Sequence, residues 1–137
     1  VMAANTVYVF FDTTCPHCAE LWNASQPLLG KLKMVWMPIG LLRPSSLPQG
    51  ATILAAADPS AAMNENEKSM LSGGGGITAS TSLDDAVLAK VKTNTDIFRR
   101  LGAESVPLVL FRNAKTGNAA RFEGSMSTEQ LAATVGI

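Results

Sequence analysis

Apolar and polar positions along the chain change period several times. Residues 6–11, TVYVFF, are β-branched or aromatic throughout, the composition of a buried strand. The polar run DTT follows and supplies turn and cap chemistry. From Cys15 onward the spacing becomes helical, with Leu21, Trp22, Leu28, Leu29 and Leu32 on one apolar face. Pro16 fits a first helical position, where its missing N–H loses nothing. Pro27 is expected to kink this helix about midway and Gly30 to end it. Residues 33–40, KMVWMPIG, read as a second strand closed by Pro38 and Gly40. The opening segment therefore predicts a βαβ unit.

The next stretch departs from that pattern. RPSSLPQG reads as a loop from its prolines and glycine. ATILAAADPSAAMNENEKSML is rich in helix formers, and Asp58 with Pro59 marks a break between two short helices. SGGGG reads as a flexible stop. It lacks the G-x-x-x-x-G-K-[ST] spacing of a phosphate loop, since Ile77 follows the last glycine where a lysine would be needed. Residues 82–102 form a long helical pattern. Ser82 is expected to cap it, with Asp84 and Asp85 in the first turn, where the helix dipole favours them. Leu83, Val87, Leu88, Val91, Ile97, Phe98 and Leu101 make its stripe, with a break expected near Asn94. Arg99 and Arg100 complement the far end of the dipole, and Gly102 ends the helix. PLVLFR and AARFEG are strands joined by a KTGN turn. Ser127 and Gln130 have the spacing of a capping box before a final short helix. The fold class is α/β. Without the helical insertion at about residues 41–82, the order β-α-β, α-β-β-α is the thioredoxin order, and residues 1–137 read as one domain.

Composition narrows the function classes. Eleven basic and eleven acidic residues cancel, and no basic patch stands out, so nucleic acid is not an expected partner. No apolar run approaches the length of a membrane span. The opening VMAANTVYVF lacks the features of a secretory signal, so either the chain is cytosolic or a signal has been removed. The chain has only two cysteines and one histidine. That is too few for a structural zinc site, and no metal site is expected. Ala19 follows Cys18, so the C-x-x-C-H pattern of haem attachment fails.

Those three residues fall together in CPHC. A C-x-x-C pair opening a helix after a buried strand is a redox signature. At the helix start, unpaired N–H groups and the dipole favour an anion, so Cys15 is expected to be a thiolate near neutral pH. Cys18 lies one turn on, more buried and harder to deprotonate, and can resolve a mixed disulfide. Protonated His17 would stabilise the Cys15 thiolate, and Pro16 would stiffen the turn. In ESVPLVLF, the Val106-Pro107 bond is a candidate cis peptide entering a strand. It would leave the Val106 backbone free beside Cys15 to pair with an extended client segment. No cofactor beyond the redox-active pair of Cys15 with Cys18 is expected.

YVFFDTTCPHCAELWNASQPLL, MPIGLLRPSSLPQGATILAAADPSAAMNENE and NTDIFRRLGAESVPLVLF together resemble the catalytic domain of the periplasmic disulfide isomerases of the DsbC/DsbG type, with DsbG the closer branch. The likeness covers nearly the whole chain. It implies that Cys15 is the exposed nucleophile, Cys18 the resolving cysteine and Pro107 the cis-proline. It also implies a periplasmic location with the signal peptide outside this chain. The family carries an N-terminal dimerisation domain that is absent here, so a homodimer is expected only if such a domain exists. Two residue features also differ from the family pattern. Pro16-His17 is the dipeptide of the oxidase DsbA. Val106 also matches DsbA, where the isomerases usually carry threonine. Position 9 is valine, where thioredoxin and DsbA place a buried acid, so any such helper must come from elsewhere.

The resemblance implies a thiol:disulfide oxidoreductase that isomerises or reduces protein disulfides, or reduces sulfenic acids. Its clients would be unfolded or misoxidised secreted proteins, and a membrane thiol reductant of the DsbD type would recharge it. The alternative is a DsbA-like thiol oxidase recharged by a DsbB-type oxidant. A reading of another class is a non-catalytic, chaperone-like binding module using the groove beside Val106 and Pro107.

Overall fold

The first apolar run becomes the centre of the sheet. In the computed structural model, which describes residues 5–137, β1 (Asn5–Asp12) pairs in parallel with β2 (Leu32–Ile39) and antiparallel with β3 (Leu108–Arg112). β3 in turn pairs antiparallel with β4 (Ala119–Glu123), giving the order β2-β1-β3-β4. A central strand covered on both faces should be apolar at successive positions. Val7, Val9, Phe10 and Phe11 are accordingly buried.

The helices are α1 (Pro16–Ser25), α2 (Ser46–Ala55), α3 (Pro59–Leu71), α4 (Asp85–Arg100) and α5 (Thr128–Val135). Phe10 packs against Phe98 of α4 with ring centroids 6.2 Å apart, and Phe11 meets Trp36 of β2 edge-on at 5.7 Å. With α2 and α3 set aside, this is the thioredoxin fold. The insertion is not a separate unit, because α3 packs on α1 and α2 packs on α4.

Several local expectations change. Pro27 does not kink α1 midway. The helix stops at Ser25, and the chain passes into a single 3-10 turn, Gln26–Leu28, that accommodates a proline without an N–H. Gly30 lies beyond that turn. Residues 46–50 are helical, not loop. Pro48 sits in the first turn of α2, where its N–H would have had no partner in any case. Gly50 marks a close approach: a Cβ there would stand 2.9 Å from Pro38 Cβ.

Ser82 does not cap α4. Asp84 does, its Oδ1 accepting from Val87 N at 2.9 Å, while Asp85 occupies the first turn. The helix runs unbroken past Asn94. Leu83 precedes it, and Leu101 follows it at 36% exposure. Thr95 joins the buried stripe instead, accepting from Gly40 N and donating to Val91 O. The SGGGG run is tied down rather than loose. Gln49 Nε2 donates to Gly75 O and Ile77 O, and Gly76 N donates to Ser69 Oγ. The break at Asp58 and Pro59 and the capping box of Ser127 with Gln130 occur as expected.

Candidate active site

The site forms where β1 hands over to α1. Asp12 ends the strand, and its carbonyl accepts from Cys15 N at 3.1 Å, which turns the chain into the helix. The Asp12 carboxylate is fully buried and fully satisfied. Oδ1 accepts from Thr14 N, Thr14 Oγ1 and Ser46 Oγ, and Oδ2 accepts from Leu41 N and Leu42 N. This one carboxylate joins the loop before Cys15 to the end of β2 and the start of α2. Thr13 adds a second link, donating from Oγ1 to Gln49 Oε1 at 2.9 Å.

Cys15 is the N-cap of α1, with an extended backbone, and its Sγ accepts from Cys18 N at 3.1 Å. As a thiol it donates to Val106 O at 3.7 Å. The pair is present as two free thiols. The resemblance implied an exposed nucleophile, and here the structure differs: Cys15 is only 2% exposed. Its sulfur turns inward, towards the helix N–H and the Val106 carbonyl. Pro16 and His17 are the exposed part of the motif.

The two thiols have opposite environments. Cys15 is held below the ordinary thiol value, chiefly by hydrogen bonding with the Cys18 side chain and then by the Cys18 N–H. Burial and the Asp12 charge oppose this, and the His17 charge makes the smallest contribution. Cys18, fully buried, is pushed well above the ordinary value, first by burial and then by its contact with Cys15. His17 has a partner that sequence reasoning missed: Nδ1 lies 3.0 Å from Glu20 Oε1, and both side chains are largely exposed. Glu20 raises the imidazole pKa, so His17 is charged more readily but spends much of that charge on Glu20. Ser125 Oγ holds the same Glu20 oxygen at 3.1 Å.

Val106 and Pro107 face this pair across the site. Their peptide bond is cis, and β3 pairing begins only at Leu108. The loop before them is pinned from β4, where Glu123 Oε1 accepts from Glu104 N, Ser105 N and Ser105 Oγ. Pro107 O accepts from Gly124 N at 2.9 Å. The structure thus brings together all six residues singled out in the sequence: Cys15, Pro16, His17, Cys18, Val106 and Pro107. Beside them the chain opens a cavity of about 720 Å³ lined by Thr14, Pro16, Leu42, Arg43, Met70 and the glycine run. Sequence reasoning missed Asp12, Glu20, Gln49, Asn66 and Glu67. Asp12 alone carried a signal, as an acid closing an apolar strand just before the cysteine pair. Among the described residues, no helix is long and apolar enough to cross a membrane.

Fold and site place the chain in the class of thioredoxin-fold proteins with a C-x-x-C pair at the start of the first helix. Comparison with known proteins narrows the class. The thiol:disulfide interchange protein DsbG of Pseudomonas aeruginosa is 26% identical over 136 residues, covering 98% of this chain and 52% of that protein. The DsbG of Escherichia coli K12 is 27% identical over 110 residues, covering 77% of this chain and 42% of that protein. The chain is homologous to DsbG-type proteins over most of its length and spans about half the length of these relatives. No protein-family model matches it.

Solved structures agree on the fold. Proteus mirabilis ScsC in a transitional conformation superposes with a TM-score of 0.78 at 17% identity, covering 98% of this chain and 67% of that one. A disulfide interchange protein from Neisseria gonorrhoeae gives 0.71 at 21% identity, covering 97% and 86%. The thiol-disulfide exchange protein alpha-DsbA2 from Wolbachia pipientis gives 0.72 at 18% identity, covering 97% and 81%.

Proposed function

We propose that this chain is the catalytic domain of a periplasmic thiol:disulfide oxidoreductase that isomerises or reduces disulfides in secreted proteins. The observation that carries the reading is the split between two neighbouring thiols: Cys15 is lowered at a helix N-cap, and Cys18 is raised and buried beneath it. The Cys15 thiolate attacks one sulfur of a client disulfide. A bond forms between Cys15 and that sulfur, and the second client sulfur leaves as a thiolate. If that thiolate attacks another disulfide of the client, the thiolate released there can attack the client sulfur bound to Cys15, so the disulfides are rearranged and Cys15 leaves as a thiolate. If Cys18 attacks Cys15 instead, the client leaves reduced by two electrons and the pair becomes a disulfide. The pair itself carries the electrons, so the cycle needs no further cofactor. It does need a membrane reductant of the DsbD type. The Val106 backbone beside Cys15 is suited to hold an extended client segment during attack.

A second reading reverses the electron flow. Pro16-His17 and Val106 match DsbA, and every influence that favours the Cys15 thiolate stabilises the dithiol, making the disulfide a stronger oxidant. The resting redox state separates the two. Acid quench and thiol alkylation of cells making the full natural protein should find the pair mostly reduced. A mostly oxidised pair would establish the oxidase direction. Cys15→Ser tests both against a non-catalytic binding module: it should abolish refolding of scrambled disulfide substrates, and unchanged turnover would sink the catalytic reading.

A further inference from the structure

One buried ionisable group has no place in this scheme. Glu67 of α3 is fully buried, and the ion pairs among the described residues, His17 with Glu20 and Arg121 with Glu123, do not involve it. Acids are seldom fully buried without a partner. Its Oε2 accepts from Asn66 Nδ2 at 2.8 Å, and its Oε1 is buried with no hydrogen-bond partner. Such an orphaned atom destabilises a fold and calls for an explanation.

Its position supplies one. The buried face of α3 comprises Ala62, Met63, Asn66 and Glu67, and α3 packs on α1. Trp22 and Met63 line one cleft between these helices. One turn back from Trp22 is Cys18, and one turn on from Met63 is Glu67. Asn66 Nδ2 also donates to Thr13 O at 3.0 Å, so the same amide links Glu67 to the loop that presents Cys15. The ionisable groups whose charges act with Glu67 are Asp12 of β1, Cys15 at the N-cap of α1 and Cys18 within it. α2 and the glycine run contribute none. Val9, the strand position from which an acid could have served Cys18, is apolar and fully buried.

We propose that Glu67 holds and returns the proton of Cys18, a positioning residue that acts on the client only through that cysteine. The inference rests on the redox reading above. In the reductive direction, the Cys18 S–H bond breaks and its proton passes to the Glu67 carboxylate. The Cys18 thiolate bonds to Cys15 Sγ, the bond from Cys15 to the client sulfur breaks, and the client leaves as a thiolate. The pair loses two electrons and the client gains two. In the oxidative direction, protonated Glu67 gives its proton to Cys18 as that sulfur leaves the disulfide. The electrostatics suit the timing. Burial, opposed by the Asn66 hydrogen bond and helped by the charges of Cys15 and Asp12, pushes Glu67 up to about 8. Formation of the mixed disulfide removes the Cys15 charge, so Glu67 ionises more readily at the step that needs a base.

The test uses the reduced chain and a symmetrical aryl disulfide reagent in stopped flow. The first aryl thiolate released reports attack by Cys15, and the second reports resolution by Cys18. In Glu67→Gln, the rate of the second release relative to the first should fall by roughly tenfold at neutral pH. Its pH dependence should move upward, towards the titration of Cys18 alone. An unchanged ratio and pH profile, or equal slowing of both phases, would overturn the proposal. No first release from the unaltered chain would overturn the redox reading and this inference with it. A measurement on the unaltered chain covers a variant that fails to fold. With carbon-13 glutamate, one carboxyl should titrate above the ordinary range in the dithiol and shift down when Cys15 is alkylated. A carboxyl set with no such member, or one indifferent to Cys15, would also overturn it.

Discussion

Cys15 and Cys18 are separated by one helical turn, yet their surroundings act on them in opposite senses. The difference arises from single atoms: a helix N–H and a neighbouring thiol for one, burial for the other. His17 lies on the outside of this pair, hydrogen-bonded to Glu20 at 3.0 Å, and has the smallest influence on Cys15. Glu20→Gln should therefore bring the His17 pKa down towards 6.5, read by proton NMR of the ring, since Glu20 is the cause of its rise. The Cys15 titration, followed by thiolate absorbance, should move much less. Glu67 sets a different pH dependence. Its folded value of about 8 exceeds the ordinary 4.5, so between these values the folded state holds a proton that the unfolded state has lost. Stability then falls as pH rises through that window, by at most roughly 5 kcal/mol. Urea titrations at pH 5, 7 and 8.5 should show that fall in the natural chain and a flatter profile in Glu67→Gln.

At the scale of elements, α2 and α4 show where propensity and packing part ways. Gly50→Ala would gain up to about 1 kcal/mol of helix propensity in α2. The added Cβ would meet the rigid Pro38 ring at 2.9 Å, and overpacking of that kind costs about 1–3 kcal/mol. Packing should win, and chemical denaturation should find the variant less stable. In α4, Asp84→Ala should cost about 1 kcal/mol through loss of the bond to Val87 N, while Ser82→Ala should change stability little. Equal effects at the two positions would place the cap wrongly. These elements were legible as helices and strands because their apolar period spans several turns. Their ends were less so: Ser82 and Asp84 are both good caps, and only the path of the chain into α4 selects one. Thr95 was missed for a related reason. Its hydroxyl is polar by type but satisfied locally by Gly40 N and Val91 O, so it can join the core.

For the molecule as a whole, the insertion belongs to the site. Gln49 and Asn66, from the two inserted helices, bond both to Thr13, before Cys15, and to residues 75–77 at the end of the glycine run. Asn66→Ala removes the bonds to Thr13 O, Ile77 N and Glu67 Oε2 together. Amide hydrogen exchange in residues 73–77 should then speed up, along with exchange near Cys15. Change confined to the glycine run would separate the insertion from the site. The sequence by itself determined the thioredoxin order, the inserted helices and the residues of the redox pair, because strand and helix periods and the C-x-x-C spacing are local properties of the chain. Only the tertiary structure decided what surrounds that pair: the inward turn of Cys15 towards Val106, the Asp12 carboxylate satisfied from three segments, and Glu67 buried on α3. Each depends on groups distant in sequence meeting in one low-dielectric space, and in the run NENEK nothing separates the acid that is buried from the one that meets water.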